Sequence, residues 1–205
     1  MSKGGAEVTQ LAGEQHERFE AGVLAAVVPV NAAVGGTILT DLELGDPATT
    51  ARWEEYKKAN HLEDGFVLRN IKAALKYLLV DTSSPGFRSM GTAESLARSK
   101  KLVGRLSSGD RELLSRKLLF VTSFRDGTDS GDSPWYTTTL GGFLQSEGAA
   151  NDGFLFERNQ RINGVGEHLM SVSKASHFNL TGNYGKGECR KEFTRLLIQK
   201  LADRP

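Results

Sequence analysis

The densest chemistry-bearing stretch of the chain is basic. Between Arg98 and Lys117 lie Arg98, Lys100, Lys101, Arg105, Arg111, Arg116 and Lys117, opposed only by Asp110 and Glu112. Seven cations against two anions leave a local charge of +5 in a chain whose formal charge is +1. Lysine and arginine at this density can neutralise phosphates and release counterions, a mode of binding that needs no base-specific contact. Arg125 extends the candidate nucleic-acid surface, and Arg158 and Arg161 are later additions to it. The plain alternative is a solvated pair of amphipathic helices.

Hydroxyl and glycine motifs are less complete. Gly131-Asp132-Ser133-Pro134 resembles part of the Gly-Asp-Ser-Gly-Gly motif around the nucleophile of chymotrypsin-like proteases, and His61 and Asp81 precede Ser133 in the chain order of that family. The resemblance implies a Ser133 nucleophile. It spans three residues, places Pro134 where glycine belongs, and lacks the strand signals of two β-barrels, so the expectation is that Ser133 is a loop residue. A phosphate loop would need glycine at 180 and a hydroxyl residue at 187, where Leu180 and Gly187 stand around Gly185-Lys186. What survives there is an anion seat at the start of the last helix, helped by Lys186. Asp126, Asp129 and Asp132 lack the spacing of a calcium loop, and His16, His61, His168 and His177 form no close pair. No cofactor and no metal site are expected.

Composition bounds the rest. The chain has 205 residues, 39% hydrophobic and 25% charged, which is the make-up of a folded protein and excludes wholesale disorder. Near-neutral charge gives no global field toward nucleic acid and permits self-association. Cys189 is the sole cysteine, so no intrachain disulfide can form, and a reducing, intracellular setting fits. Ala21 to Leu39 is uncharged and close to the roughly 20 residues of a membrane span, but Pro29, Asn31, Gly35 and Gly36 point instead to a buried, broken element.

These residues must be positioned by mainly helical elements. The spacing predicts a polar N-terminal arm over about residues 1–10 and a helix from about Glu7 to Val28. A strand is expected over Thr37–Leu44, then a helix from Asp46-Pro47 to about Leu62. The clearest apolar stripe runs from Val67 to about Val80. Helices from Thr92 to about Leu106 and from Asp110 through Val121 would form a basic hairpin, Trp135–Leu140 a strand, and about Glu188 to Ala202 a last helix. On that helix Lys191 and Arg195 interleave with Glu188 and Glu192, as intrahelical ion pairs do.

The expectation is a single domain over residues 1–205 with a mainly α, bundle-like core and a small β element, α+β being the alternative. Its expected role is a structural assembly subunit of the viral coat or nucleocapsid kind, self-associating and binding single-stranded RNA through phosphates, with an intracellular or virion location and no membrane span. The alternatives are a small intracellular enzyme using Ser133 or Gly185-Lys186, and a monomeric protein-binding module.

Overall fold

The apolar run Val27-Val28-Pro29-Val30 does not continue a helix. Val27 donates its amide to the Lys117 carbonyl at 2.7 Å, the Leu119 amide returns a bond to the Val27 carbonyl at 2.9 Å, and the Val121 amide donates to the Pro29 carbonyl at 3.0 Å. Proline has no amide to give, and here only its carbonyl is needed, which suits a segment at a sheet edge. This is why residues 21 to 37 form no helix; among the described residues no helix is long and apolar enough to cross a membrane.

The computed structural model describes residues 2–63, 82–125, 135–177, 179–180 and 188–204. The stripe over 67–80, Ser133 with its neighbouring aspartates, and Gly185-Lys186 lie outside them. The fold is mainly α with a small β element. In chain order the described helices are α1 (Ser2–Glu14), α2 (Glu17–Glu20), α3 (Ile38–Glu43), α4 (Pro47–Ala59), α5 (Pro85–Arg88), α6 (Thr92–Arg105) and α7 (Ser108–Lys117). Strand β1 (Leu119–Phe124) follows, then α8 (Trp135–Ser146), a 3-10 turn (Glu157–Gln160), strand β2 (Glu167–Ser173) and α9 (Glu188–Ala202).

Several local expectations are corrected. The N-terminal residues are helical from Ser2, because Gly5 and Gly13 let α1 approach closely: a Cβ on Gly5 would stand 2.8 Å from the Ala32 Cβ, and one on Gly13 2.7 Å from Leu102 Cδ1. Residues 37–44 are not a strand. Thr37 caps α3 by accepting the Leu39 amide, and Asp41 reaches across to accept the Thr92 amide at 2.8 Å, tying α3 to the start of α6. Trp135–Leu140 opens helix α8, whose Leu140, Phe143 and Leu144 recur at helical spacing and are buried, with Phe143 edge-on to Trp53 of α4 at 5.1 Å.

The hairpin also ends earlier than its periodicity suggests. Ser107 and Asp110 form a reciprocal capping box that starts α7. The chain then becomes extended at Leu118 and enters β1, whose first five residues are buried. A short apolar run of this kind carries no periodicity that separates helix from strand. Pairing with residues 27–31 on one side and β2 on the other decides it.

Strands β1 and β2 are parallel, with Phe120 opposite His168 but Val121 opposite Met170. The extra residue, Leu169, is a bulge in β2. Three apolar clusters surround this sheet: one joins α3, α4 and α8 around Trp53 and Phe143, one joins α1, α6 and α7 around Leu102 and Leu114, and one packs Phe193 and Leu197 of α9 against Val121, Ala175 and Leu180. The apolar face of the C-terminal helix is thus covered within its own chain at Phe193 and Leu197.

Candidate active site

Residues 27–30, β1 and β2 run in the same direction, so their carboxyl ends meet at one edge, the place where ligands bind in parallel α/β sheets. Asn31, Ser123 and the turn from Ser176 to Leu180 gather there. So does Asp152, delivered by the loop between α8 and the 3-10 turn.

The centre of this edge is a hydrogen-bonding contact between two buried side chains, an imidazole and a carboxyl group. His177 Nδ1 lies 2.7 Å from Asp152 Oδ2, with the two side chains 4% and 0% exposed. Asp152 Oδ1 accepts the amides of Phe154 at 3.0 Å and Leu155 at 2.8 Å, and Oδ2 also accepts Gln160 Nε2 at 3.2 Å. The carboxylate therefore serves four donors, counting the imidazole, which fixes its plane. Backbone bonds lock the partner: the His177 amide donates to the Asp152 carbonyl at 2.8 Å, and Asn31 Nδ2 donates to the His177 carbonyl at 3.3 Å.

Gln160 connects the pair to the sheet. Its Oε1 accepts the Ser123 amide at 2.8 Å while its Nε2 donates to the Ser123 carbonyl at 2.9 Å. The turn before α9 is closed by Asn179, whose Oδ1 accepts the Ser176 amide at 2.7 Å. Around this framework three buried atoms have no hydrogen-bond partner among the described residues: Asn31 Oδ1, Ser123 Oγ and Ser176 Oγ. Buried polar groups are ordinarily paired, so three such atoms on residues of one network set it apart from the rest of the core. Asn31 also holds φ at 47°, a left-handed conformation that asparagine tolerates better than most residues.

With Nδ1–H donated to a fixed carboxylate, Nε2 becomes the basic nitrogen of the imidazole. A carboxylate holding a histidine in one tautomer and orientation is the arrangement that prepares a general base.

A second polar cluster lies on the sheet face. In a regular strand His168 and Ser171 would point to opposite sides; the Leu169 bulge brings Ser171 Oγ to 3.1 Å from His168 Nε2. Thr122 Oγ1 lies 3.0 Å from the same nitrogen and 2.9 Å from Ser171 Oγ, and Glu157 bonds both hydroxyls. Burial, followed by the nearby Arg161 charge, pushes the His168 imidazole below its ordinary range. Here the carboxylate meets the hydroxyls rather than the ring, which is hydrogen-bonded instead to the Met170 backbone.

The structure divides the basic run. With 100° between successive residues, Leu96, Lys100 and Val103 share one side of α6 while Arg98, Lys101 and Arg105 lie on the other. Arg98 is engaged by Glu94, the Ser89 carbonyl and Ser95, and Arg111 donates to the Val103 carbonyl at 2.8 Å, fastening α7 to α6. Arg116 is exposed and 3.7 Å from Glu112, and Lys117 is half-buried. Arg125 belongs to a different region, its guanidinium lying against Gly141 near Asn151. Lys100, Lys101 and Arg105 are exposed and make no ion pair among the described residues.

Sequence reasoning did not find Asp152, Gln160 or the role of His177, since 25 residues separate the two members of the central pair. The available signal was Asn151-Asp152-Gly153 followed by an apolar triplet, a turn in which an aspartate caps the amides after it. Among the described residues no three or more His, Cys, Asp and Glu side chains gather as a metal site. Neither the protein-family models nor the curated proteins compared with this chain match it, so its chemistry has to be read from its own geometry.

Proposed function

We propose that this protein is an enzyme in which His177, oriented by Asp152, acts as the general base that removes a proton from a hydroxyl group or water at the carboxyl edge of the sheet. The observation that carries the reading is the 2.7 Å contact between His177 Nδ1 and a carboxylate fixed by three further donors. Hydrolysis is the simplest reaction such a base supports. Asn31 Oδ1, Ser123 Oγ and Ser176 Oγ, buried and without a hydrogen-bond partner among the described residues, belong to residues of the same network. The test is turnover of a panel of p-nitrophenyl esters by the full chain, compared with His177→Asn and Asp152→Asn. Loss of general-base catalysis lowers kcat by about 10²–10⁴-fold. Unchanged turnover in a folded His177→Asn protein overturns the assignment, as does the absence of turnover on the whole panel by the wild-type chain.

A second reading is the assembly subunit that binds single-stranded nucleic acid through phosphates. One observation favours it: Lys100, Lys101 and Arg105 are exposed cations with no ion pair among the described residues. Replacing all three with Gln would weaken binding to unrelated RNA sequences alike. The slope of log affinity against log salt would flatten by roughly 0.7 per lost phosphate contact on a single strand. Sedimentation of the wild-type chain with and without RNA tests the assembly itself, and a protein that stays monomeric in both removes it.

A further inference from the structure

Two cavities of nearly equal size lie on either side of Ser99 and Ile162. The first, about 480 Å³, is lined by Lys3, Glu7, Glu14 and Arg98 among others. Its charges are internally balanced: Lys3 pairs with Glu7, and Arg98 with Glu94. The second, about 510 Å³, lies between α6 and the segment Arg158–Asn163. Its cations are Lys100, Arg158 and Arg161, and no acidic residue lines it. Its apolar surface comes from Leu96, Val103 and Ile162.

The arrangement of the cations is specific. Arg158 is held over the Phe156 ring with its guanidinium carbon 4.5 Å from the ring centroid, which fixes the group by a cation–π contact. Arg161 has a buried Nε with no hydrogen-bond partner among the described residues. Lys100 makes no ion pair among the described residues. Three uncompensated cations, two of them planar forks able to bond oxyanions in pairs, match a phosphate dianion better than a monoanionic carboxylate. Leu96 is 44% exposed and lies on the same side of α6 as Lys100 and Val103. The volume is that of a small-molecule site.

We propose that this groove binds a small organic phosphate, its phosphate held by Lys100, Arg158 and Arg161 and its apolar body resting on Leu96, Val103 and Ile162. The site is separate from the His177 network and does not depend on the enzymatic reading. Phenyl phosphate is a suitable probe, with inorganic phosphate and benzoate as comparisons, followed by calorimetry on the full chain. Phenyl phosphate is expected to bind saturably and more tightly than either comparison. Arg161→Gln, Arg158→Gln and Lys100→Gln should each weaken it by about tenfold, the effect of losing one charge-assisted contact. Because Arg161 is partly buried, the exposed Arg158 and Lys100 variants keep the test valid if Arg161→Gln fails to fold. Lys58→Gln, on α4 and outside the groove, should leave binding unchanged. The proposal is overturned by absence of saturable binding at millimolar probe, by equal affinity for phenyl phosphate and inorganic phosphate, or by unchanged affinity in the Lys100 and Arg158 variants. It is equally overturned if an RNA oligomer without a terminal phosphate binds through these residues while phenyl phosphate does not.

Discussion

The carboxyl edge of the sheet and the exposed surface of α6 handle polar groups in opposite ways. At the edge, Asp152, Gln160 and His177 are buried, each bonded to the next, and the same bonds that orient the imidazole also tie the 152–160 segment to β1 and to the turn at Ser176. On α6, Lys100, Lys101 and Arg105 stand in solvent and hold nothing in place. Charge in water contributes little to folding, whereas a buried polar network is costly when any member is lost. The first region therefore couples the proposed chemistry to stability, and the second would let the proposed binding vary without disturbing the fold.

The largest effect that can break this contrast is at Asp152. Asp152→Ala takes from the imidazole, two backbone amides and the Gln160 amide their shared buried partner. The expected loss is about 3–5 kcal/mol, the usual cost of removing one partner of a buried pair. Urea denaturation followed by circular dichroism measures it, and a loss below 1 kcal/mol would mean that the network is not what fastens the edge. Gln160→Ala is a milder version. It leaves the Ser123 amide and carbonyl without their side-chain partner and should cost about 1–3 kcal/mol by the same measurement.

That edge was almost wholly illegible in the sequence. Local chemistry announced the starts of α4 and α6 and the whole of α9, because an aspartate before proline and a helical apolar stripe act over a few residues. The edge depends instead on contacts such as Asn31 with His177, 146 residues apart, which no local pattern encodes. The parallel sheet was missed for the same reason: β1 reads as the tail of α7 until residues 27–31 and β2 pair with it. The basic surface was readable as a density of charge but not as a geometry. Only the helical turn of α6 separates Lys100, beside Arg158 and Arg161, from Lys101 and Arg105.

The next effect in size tests what holds the basic hairpin together. The Ser107 side chain accepts the Asp110 amide, and Asp110 returns the bond to the Ser107 amide at 2.8 Å. Ser107 Oγ–H also donates to the Asp110 carboxylate at 2.7 Å, and that bond first, with the Ser107 amide second, holds the Asp110 carboxyl below its ordinary range. Ser107→Ala should cost about 1 kcal/mol, the typical value of a lost helix cap, with no change in phosphate binding. The hairpin would then be shown to stand on its cap and not on its cations.

A pH titration sharpens the comparison from the sheet face. Burial, first, and the Arg161 charge, second, hold His168 below its ordinary value of 6.5, while Glu157 and the Met170 backbone work in the other direction. The unfolded chain therefore takes up the proton at a higher pH than the folded one. Stability is complete above about 6.5 and falls as the pH drops through that value toward the folded one. His168→Gln should flatten the part of this pH dependence that belongs to His168, and because the group is only half-buried the effect is a partial one. An unchanged slope below pH 6.5 in the variant would place the acid sensitivity elsewhere.

The smallest expected effect is on α6 itself. Lysine, arginine and glutamine have nearly equal helix propensities, so Lys100→Gln and Lys101→Gln, both in the helix interior and without ion pairs among the described residues, should each change stability by less than about 0.5 kcal/mol. Arg105 differs in one respect: it sits in the last turn of α6, where a positive charge interacts favourably with the carbonyl end of the helix. Arg105→Gln should therefore cost a little more, up to about 1 kcal/mol at low salt, and Arg105→Lys should restore it. Added salt should erase the difference between Arg105→Gln and the two lysine variants, because a surface charge near a helix end is screened. Thermal denaturation at two ionic strengths measures all three variants together. A loss above 1 kcal/mol at Lys101 that persists in high salt would show that this side of α6 is packed against something that contributes to the fold, and the division between a coupled edge and an uncoupled basic surface would fail.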